Sequence, residues 1–201
     1  MTFLTQNLTV DDGGYVNADG QGGHARHGAN ASGINGPVNR GMGFSSSLGA
    51  SGGGHGGGVG SGMNQPLTGR PYGSMYEPVA FGSAGGIGNV SDVGNNGRGG
   101  GRIFMNVSNS CVFNGEISAD GIAPVVPYSG GGSGGSIYIT CYNIAGQGNI
   151  TATGGDGYMH FDIHGNPARP SYAGGGGAGG RVAVYLWNNL SFIANFSTAG
   201  G

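Results

Sequence analysis

Glycine decides what this chain can become. It fills 51 of 201 positions and gathers in clusters such as GGGHGGG at 52–58, GRGGGR at 97–102, GGGSGGS at 130–136 and GGGGAGGR at 174–181. Each glycine in a helix costs about 1 kcal/mol relative to alanine. No stretch shows a useful 3.6-residue apolar period, so helix is excluded as the organising element. Disorder is also disfavoured, because Tyr and Phe recur beside Val and Ile and only 8% of residues are charged. All seven basic residues are arginine and the net charge is −2. That leaves no basic stripe to neutralise phosphates, so nucleic acid is not an expected partner. No apolar run is long enough to span a membrane. The opening TFLTQNLTV lacks the basic and apolar regions of a signal peptide. The ending FSTAGG stops where a further repeat could begin, so a fragment or a repeating unit is expected.

Between the glycines lies a repeat. Four segments align on an apolar residue, a small one and then glycine: LTVDDGGYVNADG (8–20), IFMNVSNSCVFNGEISADG (103–121), IYITCYNIAGQGNITATGG (137–155) and VAVYLWNNLSFIANFSTAG (182–200). The last three open after a glycine cluster and begin with strict alternation: Ile103, Met105, Val107; Ile137, Ile139, Cys141; Val182, Val184, Leu186. Period two predicts a half-buried strand. A second short strand is centred on Val16, Ile117, Ile150 and Phe196. Two strands per repeat, closed by a glycine turn, predict one all-β domain over 1–201 built as a parallel β-helix, or solenoid. Its coil-forming repeats are about 1–20, 103–121, 137–155 and 182–200. A glycine-rich insertion over 21–100 carries apolar anchors such as Met42, Phe44, Tyr72, Tyr76 and Phe81, and reads as long extended, polyproline-II-like loops laid along the solenoid.

The order of GGGHGGG, YGSMYEP at 72–78, GSAGG at 82–86 and GGGRIFMNVSNSCVFNGEISADG resembles the glycine-rich β-solenoid modules of large secreted or cell-surface proteins of plants and eukaryotic microbes. The resemblance covers about 52–200. It implies an extracellular structural or surface role and brings no catalytic residue with it.

The strongest chemical signal is the Asn-X-Ser/Thr triplet, present at Asn7, Asn30, Asn89, Asn106, Asn149, Asn189 and Asn195. Chance predicts roughly two, so N-linked glycans are expected. Asn149 and Asn195 each precede an inward apolar residue, which turns both outward in one column. Cys111 and Cys141 lie in adjacent repeats and both read as inward. A disulfide between them is expected, against the alternative of two buried thiols. HFDIH places His160, Asp162 and His164 on one face of any strand, compatible in type with a divalent metal. No fourth ligand is evident, so no metal or other cofactor is expected and the motif reads as the wet face of a hairpin. Asp19 and Asp120 precede glycine and read as turn residues.

Enzymatic carbohydrate chemistry would need clustered carboxylates. The only two glutamates, Glu77 and Glu116, are far apart in sequence, so no catalytic residue is expected. Ice binding would repeat the outward pair Thr151 and Thr153 on every unit; the equivalents Asn17/Asp19, Ser118/Asp120 and Ser197/Ala199 do not. A cell-surface adhesive or carbohydrate-binding module, with Tyr72, Tyr76, Tyr128 and Tyr172 stacking on sugars, is the alternative. The reading favoured is a structural subunit of an extracellular, N-glycosylated fibril or matrix. It would assemble head to tail through uncapped ends or continue into a longer repeat chain.

Overall fold

The computed structural model describes residues 1–24, 41–46, 49–62, 68–88, 96–158 and 173–201, with the backbone alone at residues 189 and 190. Its strands come in four units, each a long strand followed at once by a short one. These are β1 (Thr2–Val10) with β2 (Tyr15–Asn17), β3 (Arg102–Phe113) with β4 (Glu116–Ser118), β5 (Ser136–Gly146) with β6 (Asn149–Thr151), and β7 (Arg181–Phe192) with β8 (Asn195–Ser197). The long strands form one four-stranded parallel sheet in the order β1-β3-β5-β7, and the short strands form a second in the order β2-β4-β6-β8. Within the first unit a tight turn joins the two sheets. The Gly14 amide donates to the Asp11 carbonyl at 2.8 Å, and Gly13 adopts φ +74°, a conformation that favours glycine.

Alternation accounts for the core. Ile103, Ile137 and Val182 pair in register, as do Met105, Ile139 and Val184, and Val107, Cys141 and Leu186. In the second sheet Val16, Ile117, Ile150 and Phe196 pair in register. In the two central units these side chains are buried together with Phe113 and Ile144. Burying each such aliphatic side chain contributes about 1.5–3 kcal/mol. Irregularities interrupt the ladder between Val107 and Ser110 and again between Ile144 and Ala145. Ile144 pairs with Asn189, not Leu190, and the second irregularity passes over Leu190 so that Ala145 pairs with Ser191.

The expected β-helix is not what forms. Among the described residues the chain makes two parallel sheets with no closed coil, and the glycine-rich segments are not loops laid along a solenoid. They compose a second hydrogen-bonded body with its own period. Along residues 130–135 the six successive amides donate to Gly86, Gly175, Ile122, Ser83, Ala178 and Ala119. Every third amide therefore returns to the same neighbour: 130 and 133 to one segment, 131 and 134 to a second, 132 and 135 to a third. The same step of three relates Gly174, Gly177 and Gly180, which donate to Tyr158, Gly155 and Ala152, and Gly43 and Ser46, which donate to Ala84 and Ile87. Donors repeating every three residues belong to the threefold extended helix, whose backbone makes no internal hydrogen bonds and must find partners elsewhere. A β-strand would direct its amides to two neighbours only.

Such contact on three sides is why the segments need glycine. A Cβ on Gly132 would collide with the Arg98 carbonyl, and one on Gly134 with the Ala152 carbonyl. The two bodies meet along a column of small residues: Gly101, Gly135 and Gly180 donate to the carbonyls of Ala18, Ala119 and Ala152, all three alanines buried.

Candidate functional site

The far end of the sheet stack is where the core stops being covered. Cys141 and Ile150 are fully buried, yet their register partners Leu186 and Phe196 are 38% and 54% exposed. Val182 and Val184 are half-buried beside them. At the opposite end Phe3, Leu8 and Val16 are only partly buried against the core. Each end also carries the free backbone edge of its outermost strands. Among the described residues nothing covers either face.

The acceptor asparagines lie on the flanks. Asn7, Asn106, Asn149 and Asn195 are exposed. Asn149 and Asn195 are register partners, and Asn195 Nδ2 donates to Asn149 Oδ1 at 3.1 Å. Their attachment nitrogens stand about one strand spacing apart, roughly 4.8 Å, so first sugars on both would touch. Asn7 Oδ1 accepts from Asn109 Nδ2 at 2.9 Å. Asn189 pairs through its backbone with Ile144. Asn30 and Asn89 lie outside the described residues.

Cys111 and Cys141 are joined by a disulfide, with Cα atoms 6.3 Å apart. Cys141 pairs with Val107 and Cys111 with Ile144, so the bond crosses diagonally between β3 and β5, near the irregularity between Val107 and Ser110. It closes a loop that contains the GGGSGGS cluster, tying one pass of the glycine body to the sheet.

Asp19 and Asp120 do more than turn the chain. Asp19 accepts from the Ser118 hydroxyl at 3.1 Å and the Asp120 amide at 2.6 Å; one unit on, Asp120 accepts from the Thr151 hydroxyl at 3.1 Å and the Thr153 amide at 2.6 Å. Each aspartate links its unit to the next. The signal was the recurring hydroxyl one strand over, which a turn reading passes by.

The tyrosines singled out for sugar stacking do not form one surface. Tyr72 is buried, its ring 4.8 Å from His55 and its hydroxyl bonded to the Phe81 carbonyl and to Ser83 Oγ. Burial raises its phenol to about 12. Tyr128 is half-buried at φ +66°, Tyr76 is exposed, and Tyr172 lies outside the described residues. Rings missed by that reading line the outer face of the long sheet. Phe104 stacks on Tyr138 at 5.2 Å, Tyr138 meets Tyr185 at 5.6 Å, and Tyr142 stacks on Trp187 at 6.4 Å. Two grooves share Tyr138 and Thr140. One, of about 280 Å3, adds Tyr185, Leu186 and Trp187; the other, of about 260 Å3, adds Glu77, Val79, Phe104 and Asn106. The signal was present in the outward letters of IYITCYN and VAVYLWN.

A strongly perturbed ionisable group lies inside the glycine body. His55 is fully buried, with Nδ1 donating to the Gly134 carbonyl at 2.8 Å and Nε2 3.5 Å from Ser136 Oγ. Burial pushes its imidazole down to about 4, against the opposing pull of the bond to Gly134. The neutral ring acts as a fixed strut between glycine segments. No group of three His, Cys, Asp or Glu that could hold a metal occurs among the described residues, and His160, Asp162 and His164 lie outside them. No helix among them is long and apolar enough to cross a membrane. No family model, curated protein or solved structure matches this chain, so the resemblance to glycine-rich surface modules rests on the quoted motifs alone.

Proposed function

We propose that this chain is a structural, non-catalytic module of an extracellular, N-glycosylated fibril or matrix, and that it stacks end to end. The observation that carries the reading is the exposure of Leu186 and Phe196 at positions where the preceding unit buries Cys141 and Ile150 completely. A second copy, or a further unit of the same polypeptide, presenting β1 and β2 to β7 and β8 would bring Phe3 over Val184 and Val16 over Phe196 if it kept the register the four units already share. The contact is head to tail and does not close, so it propagates as a filament. The disulfide supports an oxidising, extracellular setting. Outward acceptors on the flanks leave the stacking faces clear of sugar.

The test is assembly of the glycosylated chain followed by electron microscopy and sedimentation. Filaments that vanish in Phe196→Asp and Leu186→Asp, while the disulfide and thermal unfolding of the monomer persist, are the expected result. A wild-type chain that stays monomeric at high concentration overturns end-to-end stacking of separate chains.

A further inference from the structure

Asn106 differs from the other exposed acceptors in its surroundings. Alternation sets Phe104 and Asn106 on the outer side of β3, with Tyr138 and Thr140 their register partners on β5; Ser108, at the start of the irregularity, is exposed. The Phe104 and Tyr138 rings stack within 10° of parallel. With Glu77 and Val79 they enclose the groove of about 260 Å3, to which Asn106 and Thr140 contribute the polar lining. The Thr140 hydroxyl has two acceptors for its one proton, Asn106 Oδ1 at 3.2 Å and the Met105 carbonyl at 3.4 Å; the nearer contact orients the carboxamide and leaves Nδ2 without a partner among the described residues. Asn7, Asn149 and Asn195 have Thr5, Gln147 and Ile193 two residues back, where Asn106 has a ring.

We propose that the glycan on Asn106 does not project as a coat but folds back, its first sugar seated in the groove against Phe104 and Tyr138. The inference rests on the reading of the chain as N-glycosylated and goes further by giving one sugar a binding site. A pyranose ring has an apolar C–H face and a rim of hydroxyls. The groove matches it with two aromatic side chains on one side and the Glu77 carboxylate as an acceptor at the rim. Its volume falls below the roughly 300–1,000 Å3 of pockets that enclose larger ligands, so it takes one ring and the rest of the glycan leaves along the surface. The attachment follows from a glycosyl pyrophosphate carrier. The bond from the anomeric carbon to the pyrophosphate oxygen breaks, a bond from that carbon to Asn106 Nδ2 forms, the carrier departs with the bonding electron pair, and one amide proton is lost.

The experiment uses the full chain made in a glycosylating eukaryotic host and in a bacterial host. Glycopeptide mapping reads occupancy, and nuclear Overhauser contacts read whether the first sugar touches the Phe104 and Tyr138 rings. Ser108→Ala removes the acceptor while keeping Asn106 and both rings. It is expected to lower Tm by about 2–4 °C in the glycosylating host and to leave Tm unchanged in the bacterial one. Phe104→Leu is compared between the two hosts, so that any cost to the fold cancels; the gap between hosts is expected to shrink. An unmodified Asn106 overturns the proposal. A modified Asn106 with no ring contacts and no gap between hosts overturns it while leaving the glycosylation reading intact. Absence of sugar at Asn7, Asn106, Asn149 and Asn195 alike overturns both.

Discussion

Ile139 and Gly134 are both buried, and they are held by different physics. Ile139 sits in a sheet where alternate side chains leave water together and the backbone pairs with two neighbours. Gly134 sits in a body with little side chain to bury, where the amide donates to Ala178 and the adjoining residues reach two further segments. In the sheet, apolar area supplies the drive and the hydrogen bonds set register. In the glycine body close approach of backbones supplies the packing, and satisfaction of every amide is the condition for burial at all. One region therefore tolerates changes of side chain and the other tolerates almost no side chain.

The largest expected effect breaks the glycine body. Gly132→Val sets a side chain against the Arg98 carbonyl and the Gly99 amide, which cannot rotate away as a side chain would. Its cost is expected to exceed the roughly 1–3 kcal/mol of ordinary overpacking and to prevent folding, whereas Gly57→Ala, with open space at the Cβ, should unfold like the parent. Circular dichroism with thermal melts decides it, and equal melting of the two variants would erase the distinction drawn between the regions.

Next comes the sheet. Ile139→Ala removes a fully buried side chain and is expected to cost about 2–5 kcal/mol while the protein still folds, measured by denaturant titration. A cost near zero would mean that the sheets do not carry the apolar core.

The smallest effect sharpens the comparison by pH. The His55 imidazole is held down to about 4, below its ordinary 6.5, so the folded state binds fewer protons in that window. Its contribution is complete above pH 6.5 and is lost as pH falls towards 4, about 2 kcal/mol by pH 5. Stability measured from pH 7.5 to 5 should fall by that amount in the parent, and the part due to the imidazole should vanish in His55→Phe. An unchanged slope in the variant would assign the acid sensitivity elsewhere.

Much of the sheet was legible in the chain because side chains carry its period. Ile103, Met105 and Val107 alternate, and alternation is visible as letters. How the body over 41–46, 49–62, 82–88, 97–101, 130–135 and 174–180 packs was not legible, because its period of three is written in backbone amides and glycine looks the same at every phase. Closure into a coil was inferred from the repeats alone, and nothing in the letters stated that the segments after β2, β4 and β6 bond in three directions. Tyr72 read both as an apolar anchor and as a ring open to sugars, and its letters could not decide between the two; the ring it stacks on, His55, is 17 residues earlier in the sequence, inside GGGHGGG. The ring-lined grooves were hidden for the opposite reason, since outward letters of a strand are ordinarily read as wet.

A step of three in donor direction gives the glycine segments a reading frame. Adding one residue to 130–135 would rotate each later amide by about a third of a turn, so that donors aimed at Ser83 and Ala178 would point at the wrong neighbours. Adding three would restore every direction and lengthen the segment by one turn. The long strands obey a different arithmetic, in which a slip of one exchanges the inner and outer faces and a slip of two does not. Segment lengths in this architecture are thus quantised in threes on one side of the alanine column and in twos on the other. A viable insertion has to respect the count of the side it enters.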